Sequence, residues 1–291
     1  MIKIEKLFLF LFFLTVFMAG CDNKVYEYAA MHEEDITKGI NYSTEELETV
    51  EISQAEPGDI IRMGHYEQDG DEAADDEIFW DVLDKKEDKL LVISHYILAR
   101  RSFDDENVTW ENSQLREWLN SEFYNGAFND NEKNRIAISI MSNPSSRVFY
   151  ESEDAEREAS NPPFLENMCD TEDNIFLLSW EEVLKYYDFK LVADDDGNKQ
   201  HVYFYLMARP SYVVTLEHYK GQIESEILWL SSYGLDARAG ASTWWLRSEG
   251  LHPDRCMYIQ QDDIKFSVGY ISDQAHFFDA GVRPAMWINI K

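Results

Sequence analysis

Two short stretches near the C-terminus combine tryptophan with arginine, and they carry the clearest chemistry in the sequence. Residues 243–250 read TWWLRSEG, and residues 281–288 read GVRPAMWI. A guanidinium group can stack on an indole ring, and each such contact contributes about 0.5–2 kcal/mol. It can also form paired hydrogen bonds with a carboxylate. The stretches therefore predict either a ligand platform or a set of buried contacts that define the fold.

The alternation of side chains along a strand assigns these residues to faces. In a strand over the first stretch, Trp245 and Arg247 share one face. In a strand over residues 282–288, Arg283 and Trp287 share one face. Arginine suits buried, bidentate pairing with carboxylates, so the structural interpretation is favoured. The residues that we interpret as structural are Arg247, Arg283, Trp287 and Trp118.

A ligand surface is the alternative for the aromatic residues of the C-terminal third. Aromatic faces suit sugar rings, and loops held by rigid strands are common binding surfaces. The loop-rich segment of residues 249–280 is the predicted location of such a surface. The candidate binding residues are Trp244, Trp245, Tyr258, Phe266, Tyr270, Phe277 and Phe278.

Acidic loops raise the possibility of a calcium site, since Ca²⁺ binds six to eight oxygen atoms. Acidic residues cluster within residues 69–77, 194–196 and 262–263. None of these clusters has the spacing of an EF-hand. The simpler interpretation is that these are solvated loops, so no cofactor or metal ligand is assigned and calcium stays open.

Catalytic motifs are absent from the sequence. Seven histidines are scattered along the chain, and no HExxH, GxSxG or Walker pattern occurs. We therefore predict a protein that is not an enzyme. The alternatives are an enzyme of unrecognised type, with a metal held by the acidic loops, and an envelope scaffold without a soluble ligand.

The net charge of the chain limits the classes of partner that the protein can bind. The sequence holds 26 Lys and Arg against 56 Asp and Glu, for a formal net charge of −30. Such a field repels phosphate backbones, so we expect no nucleic-acid partner. Cys169 and Cys256 lack the spacing of a zinc site, and both a disulfide and two free thiols stay open.

The N-terminus predicts export. Residues 7–17 are an unbroken apolar run that is too short to span a bilayer, and it ends in small residues before Cys21. The segment resembles a bacterial lipoprotein signal, and the resemblance implies that Cys21 carries lipid at the mature N-terminus. Residues 1–20 are the predicted signal peptide, residues 21–55 an acidic tether, and residues 56–291 one domain.

Hydrophobic patterns predict the elements of that domain. Strands at residues 78–84 and 89–94 predict a hairpin that follows a strand at residues 60–64. One amphipathic helix is predicted from four residues with the spacing of a single buried face, Leu115, Trp118, Leu119 and Phe123. The elements do not alternate as βαβ units, so the predicted fold class is α+β with two or three helices and mixed antiparallel sheets.

Two further helix starts are marked by capping boxes. Asn129 and Ser179 are each followed by glutamate three residues later. After the first of these, Ile136 and Ile140 are predicted to continue the apolar side of the helix.

The order of these motifs resembles a known family. The chain is similar over about residues 56–291 to a large bacterial family of domains of unknown function, number 6273. That resemblance implies a C-type-lectin-like single domain, related to formylglycine-generating enzymes. The sequence departs at Glu249, where the family usually has proline, and it has only Cys256 where that enzyme branch uses two cysteines. The motifs that carry the resemblance lie at residues 58–69, 79–94, 109–120, 123–128, 176–183, 244–250 and 281–288.

The sequence therefore predicts an exported protein that is lipid-anchored to the cell membrane. The resemblance and the lack of catalytic motifs favour a lectin-like module that binds an extracellular or envelope protein or glycan.

Overall fold

Alternating apolar residues and a charged turn build the first hairpin of the molecule. In the computed structural model, β2 (Asp76–Lys86) and β3 (Lys89–Ser94) are antiparallel, with Val82 opposite Val92. The preceding strand β1 (Ile60–Tyr66) pairs antiparallel with β2. The predicted hairpin is confirmed.

The structure describes residues 47–69, 76–143, 169–187, 189–193, 200–204, 208–211, 213–214, 243–250, 254–261 and 269–291. All of them belong to one unit, which comprises residues 44–218 and 238–291. Within these ranges, no helix has the length and apolar character needed to cross a membrane.

Thirteen further strands follow β3 along the described part of the chain. Their bounds are β4 Tyr96–Ile97, β5 Ala99–Ser102, β6 Ile136–Ala137, β7 Ser139–Met141, β8 Thr171–Asp173, β9 Phe189–Ala193, β10 Gln200–Phe204, β11 Arg209–Pro210, β12 Trp244–Glu249, β13 Arg255–Gln261, β14 Gly269–Ala275, β15 Asp279–Val282 and β16 Ala285–Asn289.

Two large sheets organise these strands. A five-stranded sheet has the order β1-β2-β3-β16-β6, and a seven-stranded sheet has the order β5-β15-β12-β13-β14-β10-β9. Two-stranded sheets are formed by β4 with β11 and by β7 with β8. Among the pairings of described strands, β12 with β15 and β4 with β11 are parallel, and the others are antiparallel. The α+β class with mainly antiparallel sheets is confirmed.

Three helices accompany the sheets in the described ranges. Helix α1 begins at Gln114 and runs through an α-helical turn, a π-helical turn and a second α-helical turn. Its four predicted core residues are all buried. The three segments of α1 are Gln114–Trp118, Leu119–Phe123 and Tyr124–Ala127; α2 is Asp130–Lys133 and α3 is Trp180–Tyr186. Short 3-10 turns span Ile52–Gln54 and Trp110–Asn112.

Both predicted capping boxes are present. The Asn129 and Ser179 side chains accept backbone hydrogen bonds at the starts of α2 and α3. The prediction for the residues after α2 was wrong. Helix α2 ends at Lys133, Ile136 lies in β6, and Ile140 is exposed in β7. The polar residues that follow the short helix give it no second apolar turn.

The predicted strand over residues 282–288 is also interrupted. Strand β15 belongs to the seven-stranded sheet and β16 to the five-stranded sheet, so the chain passes between the sheets at Arg283 and Pro284. Proline has no N–H to donate, but the Pro284 carbonyl accepts a hydrogen bond from Ser94 N at 2.8 Å. Arg283 and Trp287 therefore do not share a strand.

The end of the predicted tether lies against the domain. The Val50 N–H donates to the Ile60 carbonyl at 2.9 Å, and Ala55 is fully buried in the core. The described residues before position 56 thus contribute to the packing of the five-stranded sheet.

Candidate functional site

The outer strand of the seven-stranded sheet carries the candidate site. Strand β5 pairs antiparallel with β15, which places Ser102 opposite Asp279 and Arg101 opposite Ala280. Side chains of a strand alternate between faces, so Arg100 and Ser102 lie on the Asp279 face and Arg101 lies on the other. Because β5 is the outermost strand, side chains from both of its faces can line one cleft at its edge.

A cleft with a volume of about 390 Å³ lies along this edge. Helix α1 and residues from β1 and β15 complete its wall. The lining residues are Tyr66, Glu67, Leu98, Ala99, Arg100, Arg101, Ser102, Gln114, Leu115, Val213 and Asp279. Leu98, Ala99 and Leu115 are buried and form an apolar floor, whereas the remaining lining residues other than Val213 are polar.

Aromatic rings hold both arginines of β5. The Arg101 guanidinium lies 4.3 Å from the centre of the Trp118 ring, and the Arg100 guanidinium lies 5.9 Å from the Phe278 ring. A cation over a ring face is attracted by the ring quadrupole. These contacts limit the freedom of two long side chains that would otherwise lose entropy on binding a ligand.

The TWWLRSEG stretch supports the cleft from inside the molecule. The indole Nε1 of Trp245 donates to the Arg101 carbonyl at 2.9 Å, and the Phe278 ring packs edge-on against Trp245 at 6.5 Å. Trp245 is fully buried. It therefore fixes the backbone of β5 and one rim of the cleft without contacting solvent.

The platform expected of Trp244 and Trp245 is not present at the surface. Both indoles are buried in the core, and Tyr258 is buried as well. Phe103 and Tyr258 pack against the Trp245 ring, and the Arg283 guanidinium lies over the Trp244 ring. Of the predicted binding residues, Phe277 and Phe278 are exposed, at 75% and 37%. Phe266 lies outside the described residues, as does the side chain of Tyr270.

Arg247 is buried at the junction of three segments. Its guanidinium donates to Asn143 Oδ1 at 3.1 Å, to the Ser142 carbonyl at 3.1 Å and to the Leu177 carbonyl at 2.6 Å. It also forms an ion pair with Glu182 at the start of α3. Arg247 is 3% exposed, so these contacts hold segments of the fold together beneath the surface.

Arg283 is buried in a second network. It donates to the Ser94 carbonyl at 2.7 Å and to the Tyr187 hydroxyl at 3.1 Å, and its guanidinium lies 5.4 Å from the Trp244 ring. The charge partner is Asp81, at 2.8 Å. Trp287 lies elsewhere, half-buried, with the Lys86 ammonium 5.1 Å from its ring.

An aspartate–histidine pair extends this network toward the surface. His95 Nδ1 lies 2.6 Å from Asp81 Oδ1, and both side chains are 27% exposed. Burial alone would raise the pKa of Asp81, but the hydrogen bond from His95 and the Arg283 guanidinium outweigh it and lower that pKa. Sequence reasoning missed this pair because His95 lies just beyond the predicted strand of residues 89–94; in the structure His95 N donates to the Phe79 carbonyl, which places His95 diagonally across from Asp81.

A cluster of three acidic residues lies beside the cleft. Carboxylate oxygens of Glu67, Asp69 and Asp76 lie within 4.8 Å of one another and could hold a cation. Asp76 Oδ2 also accepts the N–H groups of Gln68 and Asp69, at 2.8 and 3.0 Å. Burial raises the pKa of Asp76. The other predicted acidic clusters, at residues 194–196 and 262–263, lie outside the described residues, as do Asp71 and Asp75.

The two domain cysteines are free thiols, with Cys169 exposed and Cys256 buried. The Cys256 thiol donates to the Ser248 carbonyl at 3.3 Å. Cys21, the predicted site of lipid attachment, lies outside the described residues.

Sequence reasoning also missed most of the cleft. Its one local signal is the adjacent pair Arg100 and Arg101, which is unusual in so acidic a chain. The other lining residues come from distant parts of the chain, and only the pairing of β5 with β15 brings Asp279 beside them.

Comparison with sequence models of known families identifies the family of the chain. The sequence model of a family described as "Domain of unknown function (DUF6273)" matches residues 87–290, and the chain belongs to this family. No curated protein and no solved structure matches the chain.

Proposed function

We propose that this DUF6273 protein is exported and lipid-anchored, and that its domain binds an extracellular or envelope partner, protein or glycan, without catalysing a reaction. The observation that carries the proposal is the cleft on β5. Its arginines are positioned by Trp118 and Phe278, and its backbone is held by the buried Trp245. Groups fixed in advance on a rigid strand bind a ligand with little ordering cost.

The membrane location rests on the N-terminal sequence. The apolar run of residues 7–17, followed by small residues and Cys21, is the support for a lipid anchor. The whole chain has a net charge of −30 and is repelled by anionic lipid headgroups, so the cleft of an anchored domain is available to partners outside the bilayer.

A C-type-lectin-like fold is part of the same proposal. Its support is the resemblance of the ordered sequence motifs together with the α+β architecture of antiparallel sheets and short helices. In this interpretation the buried arginines Arg247 and Arg283 hold the strands, and recognition takes place at the edge that those strands support.

A binding screen with the full-length protein in detergent micelles tests the function. The protein is applied to arrays of envelope proteins and glycans beside the double variant Arg101→Gln, Asp279→Asn. Arg62→Gln is the matched control, because Arg62 is exposed on β1 and pairs with Glu77 away from the cleft. We expect the control to keep each interaction and the double variant to lose it. Interactions that survive in the double variant would overturn the assignment of the cleft.

An enzyme is the second candidate, favoured by the Asp81–His95 pair. A histidine whose Nδ1 is held by a carboxylate presents Nε2 as a general base or a metal ligand. The test is to compare His95→Gln with wild type against panels of ester, phosphate ester and peptide substrates. Turnover that the variant lacks would replace the binding proposal, and turnover that both proteins share would not involve His95.

A further inference from the structure

We infer that the cleft on β5 takes a neutral, polyhydroxylated ligand, such as one or two hexose units of a glycan. This inference rests on the proposed function and specifies its ligand. It is argued from the charges, the hydrogen-bonding groups and the aromatic rings that line the cleft.

The charges in the cleft balance. Arg100 and Arg101 contribute two guanidinium groups, and Glu67 and Asp279 contribute two carboxylates. A ligand with a net charge would be attracted by one of these pairs and repelled by the other, so the balanced lining gives it no net electrostatic preference. The formal charge of −30 on the whole chain acts further against an anion. A ligand without net charge meets neither penalty.

Charged groups of opposite sign lie side by side on one wall of the cleft. Asp279 lies opposite Ser102 and diagonally across from Arg100 on the same face of the sheet. Opposite charges are therefore neighbours on this wall. Neighbouring donors and acceptors of this kind suit the hydroxyl groups of a sugar, each of which both donates and accepts.

Hydroxyl groups match the hydrogen-bonding character of the lining residues. A guanidinium only donates and a carboxylate only accepts, whereas Ser102 and Gln114 do both. A hydroxyl donates one hydrogen bond and accepts two, so a ligand with several hydroxyls offers partners to guanidinium and carboxylate groups alike. Arg101 and Asp279 are both exposed, so a ligand can reach their side chains from solvent.

An apolar contribution comes from the floor and the rim. Leu98 and Leu115 are buried beneath the cleft, and the Phe278 ring is exposed beside it. A pyranose ring has apolar C–H faces between its hydroxyls, and these faces pack on apolar side chains and aromatic rings. The volume of about 390 Å³ is at the small end for ligand sites, which suits one or two sugar rings.

Titration calorimetry with the full-length protein tests the ligand class. The neutral probes are maltose, cellobiose and N,N′-diacetylchitobiose. The charged probes are glucose 6-phosphate, a glucuronate disaccharide and glycylglycine. We expect at least one neutral disaccharide to bind, and Asp279→Asn and Arg101→Gln each to weaken it by about tenfold or more. Arg62→Gln should leave the Kd unchanged, and longer oligomers of the same sugar distinguish a polymer ligand from a free disaccharide.

The outcomes separate this inference from the proposed function. If only a charged probe or an array protein binds, and the cleft variants abolish that binding, the neutral-sugar inference is overturned and the binding function stands. If neutral disaccharides bind equally well to wild type and to both cleft variants, the inference is also overturned. If no ligand on any array depends on the cleft, the proposed function itself fails.

Discussion

Arg283 Nη2 donates to Asp81 Oδ2 at 2.8 Å, although the two residues are 202 positions apart in the sequence. Asp81 lies on β2 of the five-stranded sheet, and Arg283 lies where the chain leaves the seven-stranded sheet. The same guanidinium covers the Trp244 ring of β12. This contact therefore joins the two sheets by charge, hydrogen bonding and stacking together.

Replacing Arg283 by alanine should destabilise the fold strongly. The change leaves Asp81 Oδ2 and the Ser94 carbonyl without their donor, and each buried acceptor left without a donor costs about 1–3 kcal/mol. We expect the melting temperature to fall by several degrees, as measured by calorimetry. The exposed pair of Arg62 and Glu77 supplies the control, because Arg62→Ala should change the melting temperature little. Equal effects of both variants would contradict the assigned role of Arg283.

Replacing Arg247 by lysine should destabilise the protein although the charge is kept. The guanidinium reaches Asn143, the Leu177 carbonyl and Glu182 from three directions, and an ammonium group cannot satisfy all three. Each buried acceptor left without a donor costs about 1–3 kcal/mol. Thermal unfolding of the Arg247→Lys and Arg247→Ala variants measures this loss of stability. A lysine variant as stable as wild type would show that charge alone is needed.

Local patterns in the sequence were sufficient to predict several elements. The spacing of Leu115 and Trp118 predicted the buried face of α1. The capping boxes at Asn129 and Ser179 predicted the starts of α2 and α3. These features depend on interactions within a few residues, so the sequence displays them directly. The break at Arg283 was missed because it depends on two sheets meeting there, and a single strand pattern carries no information about its partners.

The cleft was harder to predict for the same reason. Its arginines, Gln114 and Asp279 come together through the pairing of β5 with β15 and the packing of α1. Long-range register of this kind is not visible in periodicity. Trp244 and Trp245 were interpreted as binding residues because aromatic side chains occur both in protein cores and at ligand sites. Only their burial in the structure distinguishes a core role from a binding role.

Membrane attachment should depend on Cys21. If this cysteine carries the lipid, Cys21→Ser moves the protein from the membrane fraction to the soluble or periplasmic fraction and abolishes incorporation of radiolabelled palmitate. A Cys169→Ser variant is the matched control, since that exposed thiol lies within the domain. Membrane retention of the Cys21→Ser protein would point to a different anchor.

Glu249 gives the fold a dependence on pH. The residue is buried, its Oε1 has no hydrogen-bond partner among the residues that the structure describes, and burial raises its pKa from 4.5 to about 7. Because the folded state holds the proton more tightly than the unfolded chain does, this group favours folding most below pH 4.5. Its contribution is lost as the pH rises through about 7, where ionisation places an unpaired charge in the core.

Glu249→Gln should remove this dependence, because glutamine is neutral at every pH. The stability of the variant relative to wild type should therefore increase by about 2 kcal/mol between pH 5 and pH 8. Taking the difference between the two pH values cancels any constant effect of the amide on packing. Urea unfolding at both pH values measures the stability difference between the variant and wild type. Glu117→Gln is the control, because Glu117 is an exposed residue on α1. A difference that is the same at pH 5 and pH 8 would mean that Glu249 is already ionised, or already solvated, in the folded protein.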